Sequence, residues 1–130
     1  MEDSSLKIAV VEDDNSLREL LKIRLGTQGF DVCDFANAED AEEALLKNPV
    51  DVILLDANLP KKLGVELAKE IKQDPAFGNP KIIIITGVSF SVENIKRQWK
   101  NKYLIDDYIE KPFDFNILLQ KIKGEPEEAD

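Results

Sequence analysis

The chain contains no histidine. That absence removes histidine triads, histidine-ligated zinc and a phosphohistidine carrier role together, leaving Asp, Glu, Lys, Ser, Thr, Tyr and one cysteine for any chemistry. The lone cysteine, Cys33, cannot form an intramolecular disulfide, in keeping with a reducing compartment. Positive charge is also scarce: 17 Lys and Arg face 26 Asp and Glu, a formal net charge of −9. A field of that sign repels phosphate backbones, so direct nucleic-acid binding is not expected. No apolar run approaches a membrane span, and the acidic start Met1-Glu2-Asp3-Ser4-Ser5 lacks the basic residues and apolar core of a signal peptide. The expected location is the cytoplasm, with no membrane partner.

What is present suits one α/β domain. At 130 residues the chain is long enough to bury a core without disulfides or structural metal, and 43% hydrophobic residues are enough to build it. Leu6–Val11 reads as a first strand stopped by Glu12-Asp13-Asp14. A helix follows, with Asn15 or Ser16 as cap and Leu17, Leu20, Leu21 and Leu25 at helical spacing up to Gly26 and Gly29. Phe30–Phe35 alternates like an edge strand, with Val32 and Cys33 on opposite faces. Asn37 precedes a helix through Lys47, with Ala38, Ala41 and Ala44 or Leu45 inward. Val52-Ile53-Leu54-Leu55 has no polar alternation, as in a strand covered on both faces, and it ends on Asp56. Leu63–Lys72 is a third helix (Leu63, Leu67 and Ile71 inward) ended by Asp74-Pro75, and Lys81–Thr86 is a fully buried strand ending on a hydroxyl. A fourth helix spans Ser91 to Lys102 through Val92, Ile95 and Trp99. Asp107-Tyr108-Ile109 is a short fifth strand, and Asp114 caps a last helix with Phe115, Leu118, Leu119 and Ile122 inward.

Five strands alternating with five helices predict a three-layer, doubly wound (βα)5 domain with a parallel sheet of flavodoxin-like order 2-1-3-4-5. The domain is expected to occupy residues 1–123, and Gly124–Asp130 reads as an acidic, disordered tail. In such a sheet all carboxyl ends share one edge, where ligands bind. That edge receives Glu12, Asp13 and Asp14 from the first strand, Asp56 from the third, Thr86 from the fourth and Lys111 from the fifth. Two carboxylates about 4 Å apart repel by about 4 kcal/mol at an effective dielectric of about 20, so such a cluster invites a divalent cation. An all-oxygen site of this size suits Mg2+.

Four fragments carry a resemblance: Val10-Val11-Glu12-Asp13-Asp14, Leu54-Leu55-Asp56-Ala57-Asn58-Leu59-Pro60, Ile84-Ile85-Thr86-Gly87 and Tyr108-Ile109-Glu110-Lys111-Pro112-Phe113. In order, each at a strand end, they resemble the receiver domain of two-component response regulators over about Leu6–Lys123. The resemblance implies that Asp56 accepts a phosphoryl group from a sensor histidine kinase or histidine phosphotransfer protein. Glu12, Asp13, Asp56 and the backbone carbonyl of Asn58 would hold Mg2+, with Asp14 a helix cap or outer-sphere group. Lys111 would pair with the phosphoryl group after an often cis Lys111-Pro112 bond. Thr86 would donate its hydroxyl, and Thr86 with Tyr108 would switch the surface of helix four, strand five and helix five toward a downstream protein target. It also implies a phosphoacceptor regulator and not an enzyme, either free-standing or cut from a longer protein.

The chain departs from the family pattern at Leu63-Gly64, at Gly87 and at Tyr103-Leu104-Ile105-Asp106, while Asn58 and Val88 fall where the family tunes acyl-phosphate lifetime. Cys33 reads as a small hydrophobe, and Trp99 and Tyr103 as core or partner surface. Three other functions share parts of this pattern. A receiver-like interaction module would never take a phosphate. A flavin-binding electron carrier of the same topology would need a phosphate loop where Glu12-Asp13-Asp14 stands. A haloacid-dehalogenase-like phosphatase would need a second aspartate at Asn58.

Overall fold

The computed structural model describes residues 6–87 and 93–125, without the side chains of 93–96. In chain order the elements are β1 (Lys7–Val11), α1 (Asn15–Thr27), β2 (Asp31–Phe35), α2 (Ala38–Lys47), β3 (Val52–Asp56), α3 (Gly64–Gln73), a 3-10 turn at Pro75–Phe77, β4 (Lys81–Thr86), α4 (Glu93–Tyr103), β5 (Asp107–Glu110) and α5 (Phe115–Lys123). The sheet runs β2-β1-β3-β4-β5 with every neighbouring pair parallel, the doubly wound order that the alternation predicts.

Strand composition explains the layering. Ile82 to Ile85 are each 0% exposed, and β3 is buried along its whole length, so these two strands need apolar residues on both faces. Alternate residues go to opposite layers. Ile8, Val10, Leu54, Ile83 and Ile85 pack toward α1 and α5, while Ala9, Val11, Ile53, Leu55, Ile82 and Ile84 pack toward α2 and α3. Val32 and Cys33 on edge strand β2 divide between the same two cores. Each fully buried aliphatic contributes about 1.5–3 kcal/mol, so the central strands hold the sheet edge that carries the acids firmly in place.

Three helices begin on the side-chain caps Asp14, Asn37 and Asp114. For α1 this corrects the expectation of Asn15 or Ser16, because the Asp14 carboxylate already accepts the Ser16 and Leu17 amides at 2.9 and 3.2 Å. Leu20 is also misassigned by periodicity. The buried stripe is Leu21 and Leu25 with Leu17 half-buried, and Leu20, at its margin, is 51% exposed. Leu63, expected inward, is instead the residue before α3 and 45% exposed. The cause is its neighbour, since Gly64 packs so tightly on the end of β3 that a Cβ there would lie 1.9 Å from the Asp56 carbonyl oxygen.

In α2 the inward residues are Ala38, Ala41 and Leu45, and in α5 they are Phe115, Leu118 and Ile122, with Leu119 half-buried. Trp99 and Tyr103 meet edge to face at 6.3 Å and pack, half-buried, on the core shared by α2 and α3. The expected start of α4 at Ser91 and Val92, the Ile95 side chain, Val88 and the tail beyond residue 125 lie outside the described residues. No helix among the described residues is long and apolar enough to cross a membrane.

Candidate functional site

Parallel register delivers the site. β1 pairs with β3 up to Val11 and Leu55, so the next residues of the two strands, Glu12 and Asp56, meet at adjacent strand ends. Asp56 in turn pairs with Ile85, and Thr86 with Glu110, after which the Lys111 amide donates to the Thr86 carbonyl at 2.7 Å. Turns then hold the ends. The Ala57 amide donates to the Ile85 carbonyl at 2.9 Å, the Gly64 amide to the Ala57 carbonyl at 2.8 Å, and the Glu12 amide to the Phe35 carbonyl at 3.0 Å.

Glu12, Asp13 and Asp56 each place a carboxylate oxygen within 4.8 Å of the others. Glu12 is 0% and Asp56 4% exposed, while Asp13 opens to solvent. One ammonium serves two of them: Lys111 Nζ lies 3.1 Å from Glu12 Oε1 and 3.7 Å from Asp56 Oδ1. Burial pushes the Glu12 carboxyl up to about 7, and Asp56 adds to that rise against the opposing Asp14 amide and Lys111. Burial acts downward on Lys111, but Glu12, Asp56 and Asp13 outweigh it and hold the ammonium above its ordinary value. Asp14 turns away from this cluster to cap α1 and leaves its amide donating to Glu12 Oε2 at 3.1 Å. The Asn58 amide donates to Asp56 Oδ1 at 3.2 Å, so Asn58 sits exposed beside the phosphoacceptor candidate. Glu12 Oε1 is buried with no aligned hydrogen-bond donor. That oxygen, faced by the Lys111 ammonium without an aligned hydrogen bond and set among three carboxylates with one side open to water, fits a hard divalent cation such as Mg2+.

Thr86 is fully buried at the end of β4. Tyr108 pairs with Ile84, so it shares a sheet face with Thr86, half-buried, with Lys121 Nζ 5.8 Å from its ring. The Lys111-Pro112 bond is cis. Next to Lys111 opens a cleft of about 320 Å3, lined by Asp14, Leu17, Leu20 and Phe113 among others. The structure thus pairs Lys111 with Glu12 and Asp56, gathers Asp13 within 4.8 Å of both acids, and sets Asn58, Thr86 and Tyr108 around them.

Residues 8–123 match the family described as the response regulator receiver domain. The chain belongs to that family. Among curated receivers with further sequence, it is 37% identical over 123 residues to the transcriptional regulatory protein AruR of Pseudomonas aeruginosa, covering 91% of this chain and 48% of that one. It is 33% identical over 118 residues to the phosphate regulon transcriptional regulatory protein PhoB of Rhizobium meliloti, covering 91% and 51%. The chain spans about half the length of these curated relatives. Among solved receivers, the BeF3-activated receiver domain of DrrB from Thermotoga maritima superposes with a TM-score of 0.78 at 30% identity, covering 92% of this chain and 96% of that one.

Two receiver residues at this edge have roles that a reading of motifs does not reach, although Leu63-Gly64 stands there as a departure from the family pattern. Gly64 permits the close approach of α3 to Asp56, and its signal was the single glycine following the Asn58-Leu59-Pro60 turn. Arg18 hydrogen-bonds the Glu12 carbonyl at 2.8 Å. Its signal was a basic residue near the start of α1, where the helix dipole disfavours positive charge.

Proposed function

We propose that this receiver is a phosphoryl-accepting signalling switch in which Asp56 takes a phosphoryl group from a partner protein. The observation that carries this reading is a buried carboxylate with an ammonium 3.7 Å away and two further acids within reach. An Asp56 oxygen forms a bond to phosphorus as the donor's phosphorus–nitrogen bond breaks, and the departing imidazole keeps the electron pair. The donor is a phosphohistidine on a sensor histidine kinase or histidine phosphotransfer protein, because this chain has no histidine to supply. Lys111 neutralises charge on the transferring group, and the Thr86 hydroxyl donates to one of its oxygens. Glu12, Asp13, Asp56 and the Asn58 carbonyl would hold Mg2+, which supplies charge neutralisation when bound. The BeF3-activated state of the DrrB receiver supports this assignment by likeness.

Signalling follows from movement of Thr86 toward the phosphoryl group, with Tyr108 turning behind it on the same sheet face. The surface of α4, β5 and α5 then changes for a downstream protein. Shifting such an equilibrium from about 1:99 to about 99:1 takes about 5.5 kcal/mol, which a few charge-assisted hydrogen bonds supply. AruR and PhoB are named transcriptional regulatory proteins. With a net charge of −9, this domain acts by protein contact and not by binding nucleic acid itself. We place the end of the receiver at Lys123, where α5 closes on Gly124.

The test is incubation with acetyl phosphate or beryllofluoride, with and without Mg2+, read by mass spectrometry. A magnesium-dependent adduct on Asp56 is expected, absent in Asp56→Asn and weakened in Asp13→Asn and Lys111→Ala. An adduct on another residue overturns Asp56 as the acceptor, and no adduct at all overturns the reading in favour of an interaction module.

A further inference from the structure

Arg18 lies one turn into α1, yet its side chain is only 18% exposed. Its guanidinium is engaged through all three nitrogens. Nε lies 3.2 Å from Asp34 Oδ2, Nη1 donates to the Glu12 carbonyl at 2.8 Å, and Nη2 donates to Asn15 Oδ1 at 2.7 Å. Asp34 belongs to β2 and is held from its other oxygen by Lys22 Nζ at 3.6 Å. One planar group therefore ties the β1–α1 loop to the neighbouring strand and to the start of the helix, as a rigid fork of donors can. On the other side of residue 12, its amide is fixed by the Phe35 carbonyl at 3.0 Å. Glu12 is clamped at both its N–H and its C=O.

We propose that Arg18 is a positioning residue for cation binding, its guanidinium holding the Glu12 carbonyl so that Glu12 and Asp13 stay converged on Asp56 before a cation arrives. The proposal rests on reading these three acids as the cation site. Left free, like charges in one crevice move apart, and the cation must then recover the cost of regathering them. A clamp on the backbone removes that cost in advance.

The sign of one substitution separates this role from simple electrostatics. A guanidinium bonded to the loop repels an incoming cation, so by charge alone Arg18→Met should tighten Mg2+ binding. Positioning requires the opposite. Calorimetric titration of Mg2+ into the full chain at fixed ionic strength should show about ten- to a hundredfold weaker binding in Arg18→Met, the usual cost of losing an outer-shell partner. Arg18→Lys should recover part of the loss, because an ammonium can serve one of the acceptors. Asp34→Asn, which keeps the charge on Arg18, should weaken binding less but in the same direction.

Metal-free protein gives a second readout. The Asp14 amide should exchange faster with solvent in Arg18→Lys, with the Ile82 amide unchanged. If Arg18→Met does not fold, Arg18→Lys, which conserves the charge, decides the question. Wild-type or tighter Mg2+ affinity in the Arg18 variants, with Asp13→Asn still losing binding, overturns the positioning role and leaves the cation site standing. A wild-type chain that takes up no Mg2+, or an Asp13→Asn variant that binds as well as wild type, overturns the site reading and this proposal together.

Discussion

The two ends of the same sheet treat carboxylates in opposite ways. At the end where strands begin, three acids each have a partner of their own. Asp51 accepts the Lys7 amide at 2.8 Å, and Asp106 accepts the buried Ile82 amide at 2.7 Å and pairs with Lys72 Nζ at 2.7 Å. Asp107 pairs with Lys121 at 3.2 Å. At the end where strands finish, Glu12 and Asp56 share one ammonium, Lys111, and Asp13 joins the same cluster of acids. Acids of the first kind hold the fold together, whereas those of the second kind weaken it and keep charge ready for a ligand. Removing an acid should therefore destabilise one end and stabilise the other.

The largest effect belongs to Asp106→Ala. It leaves a buried amide unpaired and takes the carboxylate from Lys72, whose side chain is only 10% exposed and keeps the Asn79 side-chain oxygen at 3.3 Å. We expect a loss of about 3 kcal/mol, reduced from the fully buried case by the partial exposure of Asp106. Urea unfolding measures it, and a loss under about 0.5 kcal/mol, the scale of an ordinary surface change, would break the comparison.

Glu12→Gln comes next, and its effect has a pH signature. The folded carboxyl titrates at about 7 against an ordinary 4.5, chiefly because of burial. Between those values the folded state holds a proton that the unfolded state has released, so stability falls as pH rises through the window, and the full cost is present above it. Glutamine cannot ionise. In chelator the variant should match wild type near pH 4 and exceed it by about 2 kcal/mol at pH 8, as urea midpoints would record. A difference that does not change with pH would mean that Glu12 is not ionising at a cost.

How much of this contrast is legible before folding depends on the range of the interaction. Asp56 and Thr86 are visible because each ends an apolar run, and a run without alternation marks a buried parallel strand. Thr86 and Lys111 become neighbours only through register, yet parallel strands share their carboxyl ends, so that meeting also follows from topology. The pair Lys72–Asp106 does not, since it joins the end of α3 to a loop more than thirty residues later and no periodicity encodes it. Asp14 was readable as an acid but not fully as the α1 cap, because Asn15 and Ser16 are equally good cap residues and the choice rests on one residue of phase. Leu20 and Leu63 mislead for a related reason. Helical spacing gives the direction of a stripe but not its width, and the outward turn of Leu63 follows from Gly64 docking on Asp56.

The smallest expected effect, at Asp13, separates the two ends most sharply, because its sign should depend on the solution. Asp13 is exposed, so in chelator Asp13→Asn relieves only a screened repulsion and should stabilise by about 0.5 kcal/mol. With Mg2+ present, wild type gains stability from binding in proportion to the logarithm of cation concentration over Kd, and a variant lacking one ligand gains less. The two melting curves should therefore cross as Mg2+ is raised, with Asp13→Asn more stable below the crossing and less stable above it. Asp51→Asn, at the opposite end, should show the same offset at every Mg2+ concentration. Parallel lines for Asp13→Asn as well would mean that its charge has no part in holding a cation, and the contrast would then rest on Glu12 and Asp56 alone.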